Sequence, residues 1–209
     1  MRVVLLAAAT TLALLPRAAA AQSPDASGEP AAVQVSLWES VQIVDQRRSV
    51  HGFRLVLPYG RNRDLHGADL GIVGRLDGDL VGAQLSVAGI VDGGVQGVQY
   101  NWLLSTAGGR VEGLQWSGVN MAGSFEGAQL GIINYVESPS VGARLGFANI
   151  AVTEMVGADL GAVNYAARVE GVQIGFVNVT EHLHGVQIGL VNVASNGFLP
   201  VFVLFNAAL

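Results

Sequence analysis

His182 and His184 stand one residue apart beside Glu181, so on a strand their imidazoles would share a face at the spacing of two metal ligands. No third ligand group is evident near them, and the pair reads as exposed substituents of a polar turn. Asp77 and Asp79, in LDGDL, carry the hard oxygens that divalent cations take. The glycine- and aspartate-rich nonapeptide of calcium-binding β-rolls is nevertheless missing. His51 and His66 each precede a glycine of the repeat described below and would stack side by side at an exposed position. Carboxylates for glycoside hydrolysis would have to come from scattered positions. There is no nucleophile elbow, phosphate loop or dinucleotide fingerprint. These residues predict a protein that is not an enzyme, with no catalytic residue, metal or cofactor.

The elements that carry them are repeats. Gly171 to Ala194 reads GVQIGFVNVTEHLHGVQIGLVNVA, one phrase written twice at a spacing of fourteen residues. Anchor glycines recur at Gly52, Gly67, Gly82, Gly97, Gly113, Gly127, Gly142, Gly157, Gly171 and Gly185. Self-similarity at a fixed period marks solenoids and arrays. Two residues before the anchor an apolar side chain recurs, as in Leu65, Val95 and Leu183, with Ser140 the exception. The residues one and three after it are mostly apolar as well. Between them stands a polar residue in every copy: Arg54, Asp69, Gln84, Gln99, Gln115, Gln129, Arg144, Asp159, Gln173 and Gln187. Alternation of this kind predicts a strand with one buried and one solvated face, the polar row forming an exposed ladder that could bind a partner. Asn120, Asn134, Asn149, Asn164, Asn178 and Asn192 recur seven after the anchor and predict a structural ladder with a bend at each Asn, where a short amide satisfies turn backbone.

The resulting fold class is all-β, a parallel β-solenoid of about ten coils of 14–15 residues, because parallel stacking sets equivalent residues above one another ~4.8 Å apart. The alternative is a closed antiparallel β-barrel in the outer membrane, whose strands need about 9–11 residues. Its strands would alternate short turns with longer loops and carry aromatic girdles, and the even steps show neither. The division expected is a signal peptide at 1–21, a disordered linker at 22–32, an N-terminal strand and cap at 33–51, the repeat domain at 52–196 and a C-terminal cap strand at 197–209.

Composition adds export and excludes some partners. Arg2, the apolar run Val3 to Leu15, Pro16 and the Ala19-Ala20-Ala21 site before Gln22 make a secretory leader. With no cysteine among 209 residues there is no disulfide framework and no lipid-bearing residue, so the chain is not expected to be a lipoprotein. All eleven basic residues are Arg, and losing Arg2 and Arg17 with the leader moves the formal charge from −5 to −7. An acidic chain argues against a nucleic-acid partner. The periplasm, outer membrane or cell surface is the expected location, with an unidentified envelope or surface partner.

With those residues laid out, the chain resembles the bacterial surface repeat-containing family known from spirochaete surface proteins. The likeness rests on VQVSLWESVQI (Val33 to Ile43), GFRLVLPYGRNRDLHGADLGIV (Gly52 to Val73), the GVQIGLVNVA unit and the closing FLPVFVLFN (Phe198 to Asn206). It implies an exported, surface- or envelope-associated repeat protein, and it carries no catalytic residue or ligand over to any position. The combined expectation is a non-enzymatic envelope protein, structural or partner-binding through its polar ladder. The alternative is an outer-membrane barrel serving transport or envelope integrity.

Overall fold

Only glycine fits the anchor position. All ten anchor glycines have φ between +126° and +147°, a region that L side chains rarely adopt. A Cβ placed on Gly67, Gly127 or Gly185 would lie 2.0 Å from the carbonyl oxygen of the anchor glycine one coil earlier. The anchors thus stack backbone on backbone, and that contact sets the period of the fold.

In the computed structural model, which describes residues 28–38 and 41–208, no helix is present among the described residues. The expected leader and most of the expected linker fall outside them. The strands are β1 (Ala31–Trp38), β2 (Val41–Gln42), β3 (Val50–Asn62), β4 (Leu65–Leu76), β5 (Leu80–Val91), β6 (Val95–Trp116), β7 (Val119–Leu130), β8 (Ile133–Val136), β9 (Ser140–Ala194) and β10 (Val201–Ala208). Successive strands from β3 to β9 pair in parallel, with Gly52 on Gly67, Gly67 on Gly82, and Gly127 on Gly142. The molecule is a parallel β-solenoid, not a barrel.

Each coil has two corners. The first falls four and five residues after the anchor, where β6 ends at Trp116 before β7 opens at Val119, and β7 ends at Leu130 before β8 opens at Ile133. The second follows ten to twelve after the anchor, as at Asp77 to Asp79, Asp92 to Gly94 and Glu137 to Pro139. This corrects the expected bend at each Asn. Asn120, Asn134 and Asn149 lie inside strands with buried side chains. The sixteen-residue step from Gly97 is absorbed at the first corner, where the register slips between Asn101 and Leu104 and displays Trp102 and Leu103.

The ends are closed differently. β1 stacks in parallel on β3, with Gln34 over Arg54, and β2 folds back on it antiparallel. At the other end β10 lies antiparallel on the last coil, Phe205 opposite Ile188 and Ala208 opposite Gly185. Both additions cover an edge that would otherwise present unpaired backbone groups.

Candidate functional site

The interior has two columns. Next to the second corner it is apolar, built from the residues two before and nine after each anchor. They form one cluster that includes Val50, Leu65, Leu80, Val95, Val111, Phe125 and Val136, and another of Ala151, Met155, Ala166, Val169, Leu183 and Ala194. Next to the first corner the interior is polar. Arg54, Asp69, Gln84, Gln99, Gln115, Gln129, Arg144, Asp159, Gln173 and Gln187 are each 0–1% exposed. The expected solvent-facing ladder is therefore a buried one, and no partner can reach it in the folded protein.

The physical reason is the coil-to-coil spacing. At ~4.8 Å, an amide on one coil donates to the same amide on the next, so burial leaves most rungs satisfied. Gln99 Nε2 donates to Gln84 Oε1 at 3.0 Å, Gln115 to Gln99 at 2.8 Å, Gln129 to Gln115 at 2.7 Å and Gln187 to Gln173 at 2.9 Å. The Gln84 amide donates to Asp69 Oδ2 at 3.0 Å. Across the interior a second ladder runs with the opposite polarity, each amide donating toward the C-terminus. Asn120 donates to Asn134, Asn134 to Asn149, Asn149 to Asn164, Asn164 to Asn178 and Asn178 to Asn192, every bond 2.8 Å long. The Asn amides also bind strand carbonyls of the following coil, such as Leu145, Leu160 and Ile174, which pins the first corner.

Two ion pairs interrupt the glutamines. Arg144 grips Asp159 through two bonds, Nε to Oδ1 at 2.7 Å and Nη2 to Oδ2 at 2.8 Å. Arg54 meets Asp69 at 3.6 Å, while its Nη2 donates to the Gly60 carbonyl at 2.6 Å. Burial pushes the Asp69 carboxyl above its ordinary range, outweighing the Arg54 charge and the Gln84 bond. Burial likewise lowers the Arg54 guanidinium, against the pull of Asp69. Gln129 Oε1 and Arg144 Nη1, on register-paired rungs, are without hydrogen-bond partners, as is Gln173 Nε2 on the far side of the second pair.

Outside, the two corners carry opposite chemistry. From Gly52 to Ala194 every charged side chain other than the four in the buried ladder belongs to the second corner or the strand ends flanking it. Several pair across coils, as in Arg61–Asp77 and Arg75–Asp92 at 2.8 Å and Arg110–Glu126. Asp77 is thus held by arginine, and the Asp79 carboxylate accepts the Gly94 N–H. Burial pushes the Asp64 carboxyl up, but bonds from Arg63, the Asp79 N–H and Ser49 outweigh it and leave the group below its ordinary range. His51 and His66 stack with ring centroids 4.4 Å apart. Among the described residues no three His, Asp or Glu side chains converge as metal ligands, His182 and His184 included.

The first corner is apolar on its outer surface. Side chains three after the anchor (Leu145, Leu160, Ile174, Ile188) and five after it (Ile132, Phe147, Phe176, Leu190) point outward, with Ile132, Phe147 and Phe176 62–65% exposed. The residue between the two rows is Gly131, Gly146, Gly161, Gly175 or Gly189, so the rows flank a trough floored by backbone. Any Cβ there would strike the preceding coil or an Asn amide; for Gly175 the Gly161 oxygen is 2.1 Å away. Two grooves of about 640 and about 560 Å³ meet at Leu145 and Gly146 to make this trough. Leu204 of β10 lines its far end at φ +69°, a left-handed conformation costing a leucine ~1–2 kcal/mol.

Sequence reasoning missed this surface, although its signal was available. The residues two before and two after the anchor are four apart, so strand alternation puts them on one side of the sheet. An inward Leu183 therefore requires an inward Gln187 and an outward Ile188. The fold and surface define a long β-solenoid with a polar-cored, apolar-skinned corner. No family model, curated protein or solved structure matches the chain.

Proposed function

We propose that this protein is an exported, non-enzymatic rod of the cell envelope whose working surface is the uncharged first corner instead of the buried ladder. The observation that carries the reading is the segregation of outward charge to the second corner along the repeats. Contiguous exposed apolar surface on this scale marks an interaction site, because isolated apolar side chains scatter on ordinary surfaces. The leader-like residues Arg2 to Ala21 and the resemblance to surface repeat proteins support placement in the envelope. The trough walls carry no carboxylate, imidazole or guanidinium, Tyr100 being their one ionisable side chain, which favours binding over acid–base chemistry.

The test is fractionation of a Gram-negative host expressing the full chain, beside a triple variant Ile132→Glu, Phe147→Glu and Phe176→Glu. The wild type should sediment with envelopes and the variant should become soluble with its thermal unfolding unchanged. A wild type found in the soluble fraction, or a variant that stays attached, would contradict the reading.

A further inference from the structure

We infer that the uncharged corner lies lengthwise in one leaflet of a lipid bilayer, with acyl tails in the trough and the charged corner in water. This rests on the envelope reading above and names its partner. Four features of the corner select hydrocarbon over protein.

The corner is long, and both caps extend it. In the β1 register Leu37 and Trp38 follow Ser36, which pairs with Val56, and both are exposed. At the other end Leu204 and Phe205 pair with Gly189 and Ile188. Eleven steps of ~4.8 Å, from β1 through the ten anchor coils to β10, make an apolar line of roughly 53 Å. Interfaces between proteins gather their apolar anchors at a centre ringed by polar residues. Here the line runs from cap to cap.

The trough also offers nothing to a peptide. In a solenoid the backbone N–H and C=O groups point along the axis to the neighbouring coils, so the side of the corner has no free edge for strand addition. Hydrocarbon needs no such partner.

All three tryptophans of the chain belong to this corner. Trp38, Trp102 and Trp116 are all at least half exposed, Trp102 at 77%. Such rings collect at bilayer interfaces, where one end is apolar and the other wet.

Size argues against a second copy of the chain as occupant. Taking the strip as ~53 Å by ~10 Å, the thickness of two packed sheets, a corner-to-corner dimer would bury ~530 Å² per partner. That is about two thirds of the ~800 Å² of a standard interface. A leaflet can instead take up the whole line at a depth of ~5–10 Å, as it does for amphipathic helices. The exposed charges are mixed in sign and on the opposite side, so the attraction is apolar and independent of lipid charge.

The experiment is flotation of the purified chain without the leader 1–21 with phosphatidylcholine vesicles, with tryptophan emission recorded alongside. We expect co-flotation, a blue shift, and no change when phosphatidylglycerol or high salt is added. The variant Leu145→Ser, Phe147→Ser, Phe176→Ser should partition at least about tenfold less, roughly 1.4 kcal/mol or more, with unchanged thermal unfolding. Absence of flotation would overturn the inference, as would flotation that needs acidic lipid and is lost in salt, or a concentration-dependent dimer in its place. If the chain fails to float on protein-free vesicles yet sediments with envelopes in cells, the lipid assignment falls and the envelope reading stands. If it is soluble in both, both fall.

Discussion

Arg54 and Asp69 show what a charged rung costs in a column of amides. Removing one member of a buried pair strands the other, at a typical cost of ~3–5 kcal/mol, whereas replacing both is often neutral or stabilising. Arg54→Gln alone should therefore lower unfolding free energy by that order in urea titrations, and Arg54→Gln with Asp69→Gln should restore it by continuing the Gln84–Gln129 ladder. The single variant should also depend on pH. Asp69 already sits above its unfolded value of 3.8, and losing the arginine raises it further. Stability is then fullest below the unfolded value and falls as pH rises through the folded one, since the folded state holds the proton longer. Unfolding midpoints that do not recover on acidification would contradict this. The ladder's period was legible in the sequence, because every copy places a polar residue two after its glycine. Its inward direction is not legible from hydropathy. Hydropathy assigns Gln and Arg to water, and only the identical amide ~4.8 Å away on the next coil makes their burial acceptable.

At the scale of the strand, the anchor glycine and Gly118, five after an anchor, answer to different constraints. Gly127 combines φ +137° with a Cβ position 2.0 Å from the Gly113 oxygen, so Gly127→Ala cannot be accommodated without separating two coils. We expect a loss of ~3 kcal/mol or more. Gly118, in the first corner, has its nearest contact at 3.1 Å from the Leu103 oxygen, and Gly118→Ala should cost ~1 kcal/mol or less. Chemical denaturation of the two variants checks the contrast, and equal losses would remove the stacking argument. The anchor positions could be found from spacing alone. The corners could not, because Asn120 and its equivalents look like turn residues in isolation. Their amides instead hold the strand that follows the next coil's anchor, which is a contact across coils that no local pattern reveals.

The whole molecule has an inverted cross-section, polar beneath the apolar corner and apolar beneath the charged one. Each half is consistent with the other. The amide ladders are hydrogen-bonded internally and need no water, so the outer side chains of the same strands are free to be apolar without loss of folding energy. The repeat carries this arrangement coil after coil, which is why the uncharged line is continuous.

The chain has no cysteine, so single cysteines report on this arrangement without background. The measurement is the rate of thiol labelling in the folded protein at two inward positions, Ser105→Cys and Gln99→Cys, and two outward ones, Leu145→Cys and Ile132→Cys. Circular dichroism would confirm the fold of each variant. Ser105 and Gln99 are fully buried, whereas Leu145 and Ile132 are more than half exposed. The outward pair should label at the rate of a free thiol and the inward pair only in denaturant. Fast labelling at Gln99→Cys with protection at Leu145→Cys would reverse the cross-section and contradict it.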